Sequence, residues 1–152
     1  MRRKDKEITD ESGIKAVIKK SAVCRLGMIN GNRPYIVPLS FGFHENALYF
    51  HGALKGLKID LIKENPNVCF EFDIFIETIS SENACDFSLK YQSVIGTGQA
   101  TLLENPDEKR QALDIIKTQY SDKQFEFPEN MLKATAVIKV DIESMTGKQS
   151  GF

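Results

Sequence analysis

The sequence predicts a mainly β domain, a small closed or split barrel of six antiparallel strands with flanking helices. Three observations predict it. Apolar residues recur with a period of two over most of the chain, hairpin-type turn residues join several of these runs, and the three helical segments do not alternate with strands as a βαβ fold requires. At 152 residues there is material for one domain and not two, read as a single domain over 1–152 with residues 1–9 as an N-terminal arm. A 41% hydrophobic content supplies one core without the help of disulfides or a structural metal. Closing the sheet removes exposed strand edges.

The first helix runs from Asp10 to about Lys20, with Thr9 or Asp10 as N-cap and Ile14, Val17 and Ile18 at helical spacing. Val23–Ile29 and Tyr35–Phe43 are strands joined by Asn30-Gly31-Asn32, a hairpin turn. Pro38 cannot donate to a ladder, so the second of these strands must have an edge or a bulge there. A third strand, Ala47–His51, leads into a helix over Leu54–Glu64 that Asn65-Pro66 stops. The next strand alternates Val68, Phe70, Phe72, Ile74 and Ile76 on one face with Cys69, Glu71, Asp73 and Glu77 on the other. A strand follows from Tyr91 to Leu103, its Gly96 and Gly98 admitting a close neighbour. Asn105-Pro106-Asp107-Glu108 opens a helix to about Tyr120 with a cap, a proline and first-turn acids. The last strand, Ala134–Glu143, turns Ala136, Ile138, Val140 and Ile142 inward.

Twenty basic against 21 acidic side chains leave a net charge of −1, so no global field draws the chain to nucleic acid or an anionic membrane. Apolar runs are too short for a transmembrane span or a signal peptide. Three widely spaced cysteines suit reduced thiols, and a cytoplasmic location is expected. Cys24, Cys69, Cys85, His44 and His51 lack metal-ligand spacing, Gly96-Thr97-Gly98 lacks the third glycine and the helix of a dinucleotide fingerprint, and Glu71 and Asp73 read as a solvated pair.

The segment Leu48-Tyr49-Phe50-His51-Gly52-Ala53-Leu54-Lys55-Gly56-Leu57-Lys58-Ile59 differs from the rest. A strand ends in a glycine-containing turn and opens a helix, whose N-terminal N–H groups and dipole suit a phosphate. Lys55 and Lys58, three apart, reach the same anion, and His51 offers a further donor.

The segment stands within a longer series: Cys24-Arg25-Leu26-Gly27, Pro34-Tyr35-Ile36-Val37-Pro38-Leu39-Ser40-Phe41-Gly42-Phe43, Lys58-Ile59-Asp60-Leu61 with Asn65-Pro66, Ala84-Cys85-Asp86-Phe87-Ser88, and Tyr91-Gln92-Ser93-Val94-Ile95-Gly96-Thr97-Gly98. In order and spacing this series resembles the pyridoxamine-phosphate-oxidase-related, flavin-binding split-barrel family, in the branch named for 5-nitroimidazole resistance. The resemblance runs to about Lys148 and implies a six-stranded split barrel, assembled as a homodimer with flavin mononucleotide (FMN) at the subunit interface. It assigns Val37, Pro38, Leu39 and Ser40 to the isoalloxazine ring, His51, Gly52 and Ala53 to the ring edge and ribityl chain, Lys55, Gly56 and Lys58 to the phosphate, and Ser93 and Val94 to an approach from a neighbouring strand. Many relatives carry arginine where this chain has Leu57, leaving Lys55 as the substitute charge, and the C-terminal arginine-rich motif of true pyridoxamine phosphate oxidases is absent.

The implied activity is a nitroreductase-like oxidoreductase that passes electrons from reduced flavin to a small acceptor such as a nitro compound, with His51 on the substrate side of the ring as the catalytic candidate. The rivals are a non-catalytic flavin-binding or stress protein and a haem-binding relative. A haem protein calls for a histidine in an apolar pocket, which neither His44 nor His51 suggests. Phe41, Phe43 and Phe87 are candidate interface residues.

Overall fold

The computed structural model describes residues 3–83, 85 and 87–152; Met1, Arg2, Ala84 and Asp86, which fall in the expected arm and in the Ala84–Ser88 piece, lie outside the described residues. A 3₁₀ turn at Lys4–Lys6 leads into β1 (Glu7–Ile8), α1 (Glu11–Lys20), β2 (Cys24–Asn30), β3 (Arg33–Leu39), β4 (Gly42–His44) and β5 (Ala47–Ala53). Then come α2 (Leu57–Glu64), β6 (Asn67–Ile79), β7 (Ser88–Leu102), α3 (Pro106–Tyr120), α4 (Glu129–Ala134) and β8 (Thr135–Ser150). The strands form one eight-stranded sheet in the order β3-β2-β6-β7-β8-β5-β4, with β1 paired to β8, and every pairing is antiparallel.

The mainly β, antiparallel architecture with flanking helices is the expected one, with two strands beyond the six. One comes from the arm: Glu7 and Ile8 pair with Lys148 and Gly147, and Ile8 is buried. The other comes from division of the expected Tyr35–Phe43 strand. β3 leaves β2 at Leu39, and the chain rejoins the sheet beside β5 at Gly42. Phe41, between the two, turns its ring into the core, and its N–H donates to the Tyr120 hydroxyl at 3.0 Å instead of to a strand. Phe41 is therefore not an interface residue. Its ring meets Phe72 edge-on at 4.8 Å with no exposure.

β3 is a sheet edge, which answers the requirement set by Pro38. The β6 alternation holds through Ile74 and then fails: Phe75 pairs with Tyr91 and Glu77 with Lys90, so Ile76 is an extra residue at a bulge and both Phe75 and Ile76 are exposed. At Gly96 a Cβ would lie 2.2 Å from the Phe70 ring, the close neighbour its glycine implied.

The main core gathers α1 and α2 against the inner face of the sheet, including Ile18, Phe50, Ile59, Phe70, Ala136, Ile138 and Val140. A second cluster lies on the other face of β8, where Val137 is covered by Ala112, Leu113 and Ile116 of α3 and Leu132 of α4. Helix α4 has no strong sequence signal and is tied down from outside. Lys109 of α3 donates to the carbonyls of Leu132 and Thr135 at 2.8 and 2.7 Å, capping the C-terminal end of α4. Glu71 and Asp73 are not a merely solvated pair, for both accept from Arg25 across the β2–β6 ladder.

Candidate functional site at the end of strand β5

His51 and Gly52 are adjacent on β5 and face opposite ways, as strand alternation demands. His51 is paired with Val137, whose side chain lies in the second cluster, so the imidazole also points to the α3–α4 side. There it lines a cavity of about 270 Å³ with Ser40, Leu113, Ile116, Lys117, Tyr120, Phe127, Met131 and Thr135. The imidazole is itself exposed, at the mouth of a largely apolar cavity that α3 and α4 build on this face of β5.

Gly52, paired with Ala136, faces the other way and meets α2. A Cβ on Gly52 would lie 2.8 Å from Lys58 Nζ and 3.1 Å from its Cε, so the lysine folds back over the bare glycine backbone. The helix starts three residues later than expected. Gly56, at φ 139°, takes a backbone shape that other residues rarely adopt and serves as N-cap. Its carbonyl accepts from the N–H groups of Ile59 and Asp60 at 2.9 and 3.2 Å, and no side chain caps the first turn. Leu54 and Leu57 are consequently exposed, and the buried face of α2 is Ile59, Leu61 and Ile62.

The remaining expected residues divide. Val37 and Leu39 pack toward the core from β3, whereas Pro38 and Ser40 face outward. Ala53, Lys55 and Gly56 are exposed around the turn. Ser93 is half-buried on β7, and Val94 lies in the core with no exposure. Val94 pairs with Gly147, ten residues along β8 from Val137, the partner of His51. At about 3.3 Å per residue this is roughly 30 Å of strand. One chain thus brings Ser40 to His51 and Lys58 to Gly52, and does not bring Ser93 and Val94 to either.

Lys117 and Tyr120 carry no motif and were missed; they reach the cavity because α3 packs across β4 and β5. The Tyr120 hydroxyl accepts from Phe41 N and donates to the Ala22 carbonyl, each at 3.0 Å, and burial raises its pKa above the ordinary phenol value. Among the described residues no three His, Cys, Asp or Glu side chains converge.

Comparison with known proteins agrees with this architecture. Residues 10–149 match the family described as pyridoxamine 5'-phosphate oxidase, and the chain belongs to that family. A solved structure described as that of a candidate 5-nitroimidazole antibiotic resistance protein from Bacteroides thetaiotaomicron is 32% identical, with a TM-score of 0.87 over 94% of this chain and 86% of that one. The flavocytochrome Anf3 of Azotobacter vinelandii shares the fold at 18% identity, with a TM-score of 0.87 over 100% of this chain and 72% of that one. An FAD-binding protein of Mesorhizobium loti does so at 18%, with a TM-score of 0.70 over 93% and 96%. A search of curated proteins finds no match.

Proposed function

We propose that the chain is an FMN-dependent oxidoreductase of the nitroimidazole-resistance type, working as a homodimer. The observation that carries the reading is the end of β5. Gly52 leaves its backbone bare, Lys58 lies over it, and the uncapped first turn of α2 stands next to it. A dianionic phosphate suits this cradle, since helix N-terminal N–H groups and two lysines all favour negative charge. The likeness to a resistance protein at 32% identity supports the same reading.

Bound there, the flavin supplies two-electron redox chemistry between a reduced donor and a small acceptor. The chain's own residues bind and orient. Lys55 and Lys58 hold the phosphate, the edge strand β3 offers the backbone of Val37 to Ser40, and His51 faces the cavity where an acceptor enters. Leu113 and Ile116 of α3, Met131 of α4 and Phe127 from the connection between them give that cavity its apolar walls. The dimer is favoured by the outer face of the sheet, where Ile29, Ile36, Phe75 and Ile95 stand exposed around the Arg25–Glu71–Asp73 ion pairs. It is also favoured by the distance between Ser93 and His51, because both serve one flavin only if two chains supply them.

Titration with FMN tests the proposal, with the visible spectrum separating flavin bands from a Soret band. Lys58→Ala should weaken FMN by about 1.5 kcal/mol or more, the low end for a charge-assisted hydrogen bond. Unchanged affinity removes the phosphate site. A haem reading finds little room, since the His51 cavity of about 270 Å³ is smaller than the usual drug-sized pocket.

A further inference from the structure

Lys117 has no part in the phosphate cradle, yet its position is unusual for a lysine. Its side chain is 12% exposed, while the residue type is mostly exposed in folded proteins. Among the described residues its one ion-pair partner is Asp114, at 3.1 Å, and that carboxylate is itself 55% exposed on the outer side of α3. An ammonium has three donors, so the pair leaves capacity unused. Lys117 is also one of the residues lining the cavity that His51 and Ser40 enter, whose other walls include Ile116, Phe127 and Met131.

Asp114 answers one of the three donors from its exposed position, and an ammonium beside apolar walls favours a further anion on the cavity side. At about 270 Å³ the cavity exceeds the roughly 150 Å³ that admits a benzene ring and falls short of a fused cofactor. Volume, wall chemistry and charge together describe one class of occupant.

We infer that Lys117 is the specificity-determining residue of this cavity and selects a single-ring aromatic acceptor carrying a carboxylate, held with its ring against Ile116, Phe127 and Met131 and its charge on the ammonium. This deepens the oxidoreductase reading and rests on it for the word acceptor; the binding itself does not require flavin. Asp114 competes for the same ammonium and sets how strongly the anion is held.

Calorimetric titration of the purified full-length protein with 4-nitrobenzoate and its neutral counterpart 4-nitrobenzamide tests the inference. Wild type should prefer the carboxylate by about tenfold or more, the worth of one charge-assisted hydrogen bond. Lys117→Met, which keeps the length of the side chain, should abolish that preference with the amide's affinity unchanged. Lys117→Arg should restore most of it, and Asp114→Asn should tighten the carboxylate. No preference in wild type, or an equal loss of both compounds in Lys117→Met, overturns the inference. Failure to bind FMN in the parallel titration overturns the oxidoreductase reading instead and leaves this result standing as a binding site.

Discussion

Removing the Tyr120 hydroxyl is the perturbation whose size follows most directly from the geometry. Tyr120→Phe keeps the ring and its edge-on contact with Phe41, at 6.3 Å and 81° between planes. It deletes an oxygen that accepts from Phe41 N and donates to Ala22 O, each at 3.0 Å. The two losses are unequal. The Ala22 bond is exposed, and water replaces it at little cost. Phe41 is fully buried, and its N–H loses its partner in a part-buried setting, which costs about 1–3 kcal/mol. The sum is about 2 kcal/mol. With a urea m-value of about 2 kcal/mol/M, the denaturation midpoint should fall by about 1 M, and the melting temperature by about 4–8 °C. Tyr91→Phe is the control, because Tyr91 contributes its ring to Lys148 at 5.5 Å and no hydroxyl bond among the described residues. It should stay within about 0.5 kcal/mol of wild type. If Tyr120→Phe moves the midpoint no further than Tyr91→Phe, water satisfies the Phe41 N–H and the bridge does not hold the β3–β4 link to the segment before β2.

Lys109→Met should cost about 1–3 kcal/mol by leaving the Leu132 and Thr135 carbonyls without their charged donor. Amide exchange should then speed up in α4 before it does in β8. Native thiol titration should find Cys85 fast and Cys24 reacting only on unfolding; a fast Cys24 would contradict its burial. Burial pushes the Cys24 thiol well above its ordinary range, so the folded state holds a proton that the unfolded chain releases near pH 8.5. Its contribution to stability is present below that pH and declines above it, and Cys24→Ala, though less stable overall, should flatten the decline measured by urea melts at pH 8 and pH 10. Light scattering should give a dimer mass for the FMN-loaded protein, with an interface of about 2,000 Å² or more; a flavin-saturated monomer would refute the shared site.

What the sequence alone determined was set by neighbours within a few residues. Asp10 accepts from the N–H of Gly13, and Asn105 accepts from those of Asp107 and Glu108, because cap chemistry is local. The inward set Ala136, Ile138, Val140 and Ile142 is buried, because strand period is local too. The order of motifs also sufficed for the family. Tertiary structure decided the rest. The bulge at Ile76 depends on how β6 meets β7, so no alternation along β6 alone could announce it. The arm enters the sheet because β8 runs far enough to pair with Glu7 and Ile8, contacts some 140 residues apart (Ile8 with Gly147). The cavity at His51 exists because α3 and α4 return across β5, bringing Lys117 and Tyr120 to a face that looked open. Those residues carry no motif, and only a long-range packing decision gives a lysine on an ordinary amphipathic helix a chemical setting.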